Sequence, residues 1–125
     1  MFLLDSHCDT PSQILRLRDL SLDNEYAHVD FPKLRKGGVD GAFFALYVPA
    51  GRSEEEAYAY SHRLLEAVRA TVAANPDVAA LATSPAEALA NKSAGLFSVF
   101  MGLENGSPIG HSLERLHEYY DAGVR

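Results

Sequence analysis

The sequence predicts an α/β fold with a parallel sheet, and three observations carry that prediction. The runs Gly41 to Val48 and Leu96 to Leu103 are apolar at nearly every position, as suits strands covered on both faces. Segments of helical spacing alternate with the extended ones. No repeat, low-complexity tract or Pro/Gly/Ser-rich linker breaks that alternation. A closed βα barrel needs about eight such units, and only three or four are visible. The chain is therefore either a small open α/β domain or the front part of a barrel.

Each element has its own local signal. Phe2 to Asp5 reads as a short buried strand, and residues 11 to 30 as a polar loop with room for one helical turn. Asp30 can cap a short helix over Phe31-Pro32-Lys33-Leu34-Arg35-Lys36 that Gly37 ends. Pro49 and Gly51 close the first apolar run. Ser53-Glu54-Glu55-Glu56 is a capping box with acids in the first turn. Ala57, Tyr60, Leu64, Val68 and Val72 then recur at helical spacing until Asn75-Pro76. Val78 to Ala82 suits a brief strand. Ser84-Pro85-Ala86-Glu87 opens another helix, with proline at the favoured first position and Glu87 completing the box. Leu96 to Leu103 is the second strong strand. A last helix spans Ser112 to Ala122 with Gly123 as its cap, and Val124-Arg125 begins another strand.

Bulk composition narrows the function. The net charge of −6 argues against a nucleic-acid partner, because phosphate binding needs a basic face. One cysteine cannot form an internal disulfide. Met1-Phe2-Leu3-Leu4 is too short for a signal sequence and no run approaches a membrane span, so a cytoplasmic location is expected.

The chemistry concentrates at two strand ends. On an extended backbone His7 and Asp9 face the same way, so both can reach one metal while Cys8 points elsewhere. Imidazole with carboxylate suits zinc and other divalent first-row metals. Taken alone, the pair fits a solvated loop better than a ligand set. Glu104 adds a third donor, at the end of the most apolar strand, where an ionised carboxylate is costly unless paired or bound to a cation. In parallel α/β folds the working residues gather at such C-terminal strand ends.

Four segments in order extend the pattern: Asp5-Ser6-His7-Cys8-Asp9; Val29-Asp30-Phe31-Pro32 through Phe43-Phe44-Ala45-Leu46-Tyr47-Val48; Gly102-Leu103-Glu104-Asn105-Gly106; and Leu113-Glu114-Arg115-Leu116 through Val124-Arg125. On these the chain resembles the membrane dipeptidase (renal dipeptidase-type) family of the amidohydrolase superfamily. The resemblance implies the N-terminal portion, residues 1 to 125, of a single metal-dependent (βα)8 barrel of the TIM type. It implies two zinc ions and hydrolysis of dipeptides by a hydroxide between the metals. His7 and Asp9 would hold the more buried ion and Glu104 would bridge the two.

That family completes its site with histidines, an arginine and an aspartate from later strands. The 125 residues alone are therefore expected to be inactive, with the remaining barrel half or a second copy as partner. A non-catalytic α/β domain, and another amidohydrolase-type hydrolase, are the alternatives; most of the latter begin with HxH. Cys8 reads as a small buried residue. His62 and His117 read as packing or surface residues, and His28 as a loop residue near the mouth. His111 and Tyr47 are candidate substrate contacts, from the loop after Glu104 and the end of the first strong strand.

Overall fold

The computed structural model describes residues 1–16 and 18–125. In chain order the elements are β1 (Leu4–Cys8), α1 (Thr10–Ile14), α2 (Phe31–Lys36), β2 (Gly41–Tyr47), α3 (Glu54–Ala73), β3 (Ala79–Leu81), α4 (Pro85–Ser93), β4 (Phe97–Glu104) and α5 (Leu113–Asp121). The strands form one parallel sheet in the order β1-β2-β4-β3. The fold is thus the predicted α/β type with an open sheet, an incomplete barrel wall. No helix of the described residues is long and apolar enough to cross a membrane.

The order contains one surprise. Chain order would place β3 between β2 and β4, but β3 lies outside β4 and pairs only with its first half, Phe97 to Val99. Further along the same edge Met101 pairs with Val124, and Arg125 N–H donates to the Met101 carbonyl. Val124 therefore takes over from β3 as the neighbour of β4 halfway along that strand. The segment Val78 to Ala82 does contain a strand, Ala79–Leu81, as expected, but it is an addition to the wall's lower edge.

The sheet's two faces differ in what covers them. One carries Ala42, Phe44, Leu46, Phe97, Val99 and Met101, buried against Phe31, Leu34, Leu64, Leu65, Val68 and Tyr119 of α2, α3 and α5. The other carries Phe43 and Phe100, stacked with centroids 4.8 Å apart, with Ala88 of α4 below them. Phe43, Ala45 and Tyr47 pair in register with Phe100, Gly102 and Glu104, so this face ends in the acid. Above Phe43 the face is open.

Local chemistry sets the helix ends. Ser53 and Glu56 form the capping box reciprocally. At α4 the box is displaced: Ser84 caps the Glu87 N–H, but the Glu87 carboxylate accepts from the N–H and hydroxyl of Thr83. α2 ends at its C-cap Gly37, as expected, and Gly38 makes the turn that follows. Gly37 stays helical and Gly38 takes φ +69, letting the Val39 N–H reach the Leu34 carbonyl in a Schellman turn. α5 clasps α3 through Tyr119, whose hydroxyl lies 2.5 Å from Ser61 Oγ, and through Tyr58, which donates to Glu118.

One buried acid organises the long loop before β2. Asp30 is fully shielded from solvent, caps α2 by accepting from the Lys33 N–H, and also accepts from the Asn24 N–H. Its partner is the Lys33 ammonium, which further binds Asp23 and the Asn24 carbonyl. Burial alone would raise the Asp30 carboxyl. The hydrogen bonds from Lys33 and Asn24, together with the Lys33 charge, outweigh it and hold the carboxyl below the usual range. Replacing Asp30 by Ala removes a cap and leaves Lys33 underpartnered, so the denaturant-measured stability should fall by about 2 kcal/mol. Because the folded value is lowered, the contribution is complete above about pH 4 and is lost as pH falls through it. The parent's advantage over Asp30→Asn should accordingly shrink on acidification.

Candidate metal centre

β1 and β4 deliver their polar residues to the same end of the sheet. β1 extends beyond its apolar residues because pairing with β2 continues to Cys8, so His7 stands on the strand itself. The pairing is not regular. Leu4 and Asp5 lie opposite Gly41 and Ala42, but Cys8 lies opposite Phe44, so three steps on β1 match two on β2. This is a bulge, and it changes which face the later residues present. Ser6 and His7 both line a concavity of about 330 Å3 on the open face, with Phe43, Ala45, Gly102, Glu104 and Asn105. Cys8 is buried on the helix side, its sulfur 2.8 Å from Thr10 Oγ1.

Asp9 stands where α1 begins and has φ −81 and ψ 14, off the extended geometry. An acid at this position usually caps its helix. Here the carboxylate makes no capping bond, and only the Asp9 carbonyl is used, by the N–H and hydroxyl of Ser12. The carboxylate is left to face His7.

The three candidate ligands converge. His7 Nε2 lies 3.2 Å from Glu104 Oε2 and 3.5 Å from Asp9 Oδ1. One donor atom from each of the three residues falls within 4.8 Å of the others. Glu104 Oε2 is itself shut off from solvent and, among the described residues, has no hydrogen-bond partner beyond this 3.2 Å approach of His7 Nε2. Two carboxylates and an imidazole gathered so closely, one oxygen shielded and unsatisfied, fit a divalent cation in donor type and number.

Glu104 is aimed by the residue after it. Asn105 has φ +75, the left-handed region that only Gly, Asn and Asp enter readily. Its side chain donates to the Val48 carbonyl at 2.7 Å and accepts from the Ser107 N–H at 3.1 Å. These bonds tie the bend after β4 to the end of β2.

Other residues named from the sequence fall in different places. Tyr47 is exposed at the end of β2, level with Glu104 in register. His111 is exposed in the turn before α5 and is not among the residues lining the ligand concavity. His28 is exposed and lines a second concavity of about 330 Å3 with Asp9, Gln13, Arg18 and Tyr26. His62 packs between Tyr58 and Tyr119, and His117 is on the surface. Sequence reasoning did not single out Arg18 and Tyr26, which line this second concavity beside Asp9. Their only signal was their place in the segment following Asp9.

Comparison with known proteins follows the same lines. Residues 1–125 match the family model described as membrane dipeptidase (peptidase family M19). Dipeptidase ataJ of Aspergillus terreus is 31% identical over 137 residues, covering 98% of this chain and 33% of that protein. Dipeptidase 3 of Rattus norvegicus is 29% identical, covering 98% of this chain and 26% of its own length. The chain thus spans about a third or less of these relatives. In fold it is similar to a metallopeptidase from Rhodobacter sphaeroides solved with a phosphinate mimic of the dipeptide L-Ala-D-Ala. The TM-score is 0.90 at 22% identity, over 100% of this chain and 44% of that one. Dipeptidase AC, a metallopeptidase of family M19, gives 0.89 at 24% identity, over 100% of this chain and 41% of that one.

The bend at Asn105 makes a stability prediction. Asn105→Ala keeps the positive φ without the two side-chain bonds and should cost about 1–3 kcal/mol. Asn105→Gly loses the same bonds but relieves the strain, so its thermal midpoint should lie above that of the alanine variant.

Proposed function

Because the chain belongs to the membrane dipeptidase family, peptidase family M19, we propose that it forms the metal-binding wall of a zinc-dependent dipeptidase. The observation that carries this reading is the convergence of His7, Asp9 and Glu104, with the shielded Glu104 Oε2 left unsatisfied among them. His7 would donate through Nε2, and the two carboxylates would balance the charge of a divalent ion. Glu104, at the C-terminal end of β4, would bridge to a second ion. When bound, zinc supplies Lewis acidity, polarising a peptide carbonyl and lowering the pKa of water.

The residues of this chain then bind and orient. The bulge of β1 presents His7, the free carboxylate at the start of α1 presents Asp9, and the Asn105 bend fixes Glu104. Tyr47 is assigned to the substrate side of the site, from the strand end level with Glu104. Further ligands, and the group that handles the proton, would come from strands that continue the wall beyond Met101 and Val124. The 125 residues by themselves are expected to be inactive.

The test uses the polypeptide that carries this chain together with the later strands. It should bind zinc, hydrolyse L-Ala-D-Ala or its L,L counterpart, lose activity on chelation and recover it with zinc. His7→Ala and Glu104→Ala should each lower zinc affinity by at least about tenfold. Parental zinc content in both variants would refute the reading.

A further inference from the structure

The bulge in β1 decides which side chains reach the ligand cluster. Up to Asp5 the strand alternates regularly: Leu4 pairs with Gly41 on the open face, and Asp5 with Ala42 on the helix-covered face. Continued without a break, that alternation would send Ser6 and Cys8 to the open face and turn His7 into the helix layer. Instead Cys8 pairs with Phe44 in the helix-side core, and the neighbours Ser6 and His7 both line the open concavity. His7 changes faces because the count shifts by one, and Asp9 shifts with it.

One side-chain hydrogen bond spans that step. Asp5 Oδ1 accepts the His7 N–H at 3.0 Å, a bond from residue i to i+2 of the Asx-turn type. A bulge takes main-chain groups out of the ladder, and here the carboxylate of Asp5 supplies the acceptor. We propose that Asp5 is a positioning residue for the metal centre: its bond to the His7 N–H fixes the bulge that brings His7 and Asp9, and not Cys8, to the ion. It touches neither metal nor substrate and acts through His7. The inference rests on the metal reading of the cluster. Asp5 is exposed and adds nothing to the apolar core, so its loss should register in metal geometry before it registers in stability.

The experiment compares cobalt(II) binding, and the visible spectrum of the bound ion, in the full polypeptide and its variants. Asp5→Ala should weaken cobalt binding by about tenfold to a hundredfold and alter the spectrum, while the metal-free melting temperature stays near the parent's. Asp5→Asn keeps the acceptor and should keep both affinity and spectrum. Deleting Ser6 restores strict alternation, with His7 opposite Phe43 and Cys8 still opposite Phe44. In that background Asp5→Ala should have no effect on cobalt binding, and this comparison decides the matter if Asp5→Ala alone does not fold. Parental cobalt binding by Asp5→Ala would overturn the inference, as would equal loss in Asp5→Asn or a loss persisting in the deletion background. A parent that binds no cobalt overturns the metal reading itself, and the inference with it.

Discussion

The parallel ladder between β2 and β4 is the constraint on which the other elements hang. Its register runs unbroken from Gly41 opposite Ser98 to Tyr47 opposite Glu104. One face is sealed under α2, α3 and α5. A main-chain group left unpaired there would forfeit a hydrogen bond with no water to replace it. The register is therefore fixed at every rung, and slipping β4 by one would turn Val99 and Met101 out of the core and Glu104 into it. The position of the acid is a by-product of the burial of its neighbours.

Local signals made much of this readable in advance. The runs from Gly41 and Leu96, the Ser53–Glu56 box and the proline after Ser84 each state their structure within a few residues, and all four elements are present. His7, Asp9 and Glu104 were legible as a group because each follows an apolar strand. What could not be read depends on partners distant in sequence. The place of β3 outside β4 is settled by which edge of β4 it meets. The extension of β1 to Cys8 is settled by hydrogen bonds to β2. Two-residue alternation put His7 and Asp9 together for a reason only half right: Asp9 is off the strand, and His7 faces the site because the alternation is broken.

Acids in this chain divide by whether their charge is already answered. Asp30 is satisfied by Lys33 and two main-chain donors, and Asp40 accepts from the Leu3 N–H and pairs with Lys92, which anchors the start of β1. The Asp40 carboxyl is held low chiefly by its bond to Lys92. Asp9 sits on a helix start without capping it, and Glu104 keeps a shielded oxygen unbonded. The first kind holds the fold together, and the second is free for a ligand.

The outlying β3 also bears on the order in which the chain assembles. It meets β4 across one short helix, whereas β2 must find β4 across the whole of α3, β3 and α4. Closing the smaller loop costs less chain entropy, and contacts near in sequence form sooner. The β3–α4–β4 unit is thus the piece suited to form first, presenting the other edge of β4 as a template on which β2, and then β1, is laid down in register.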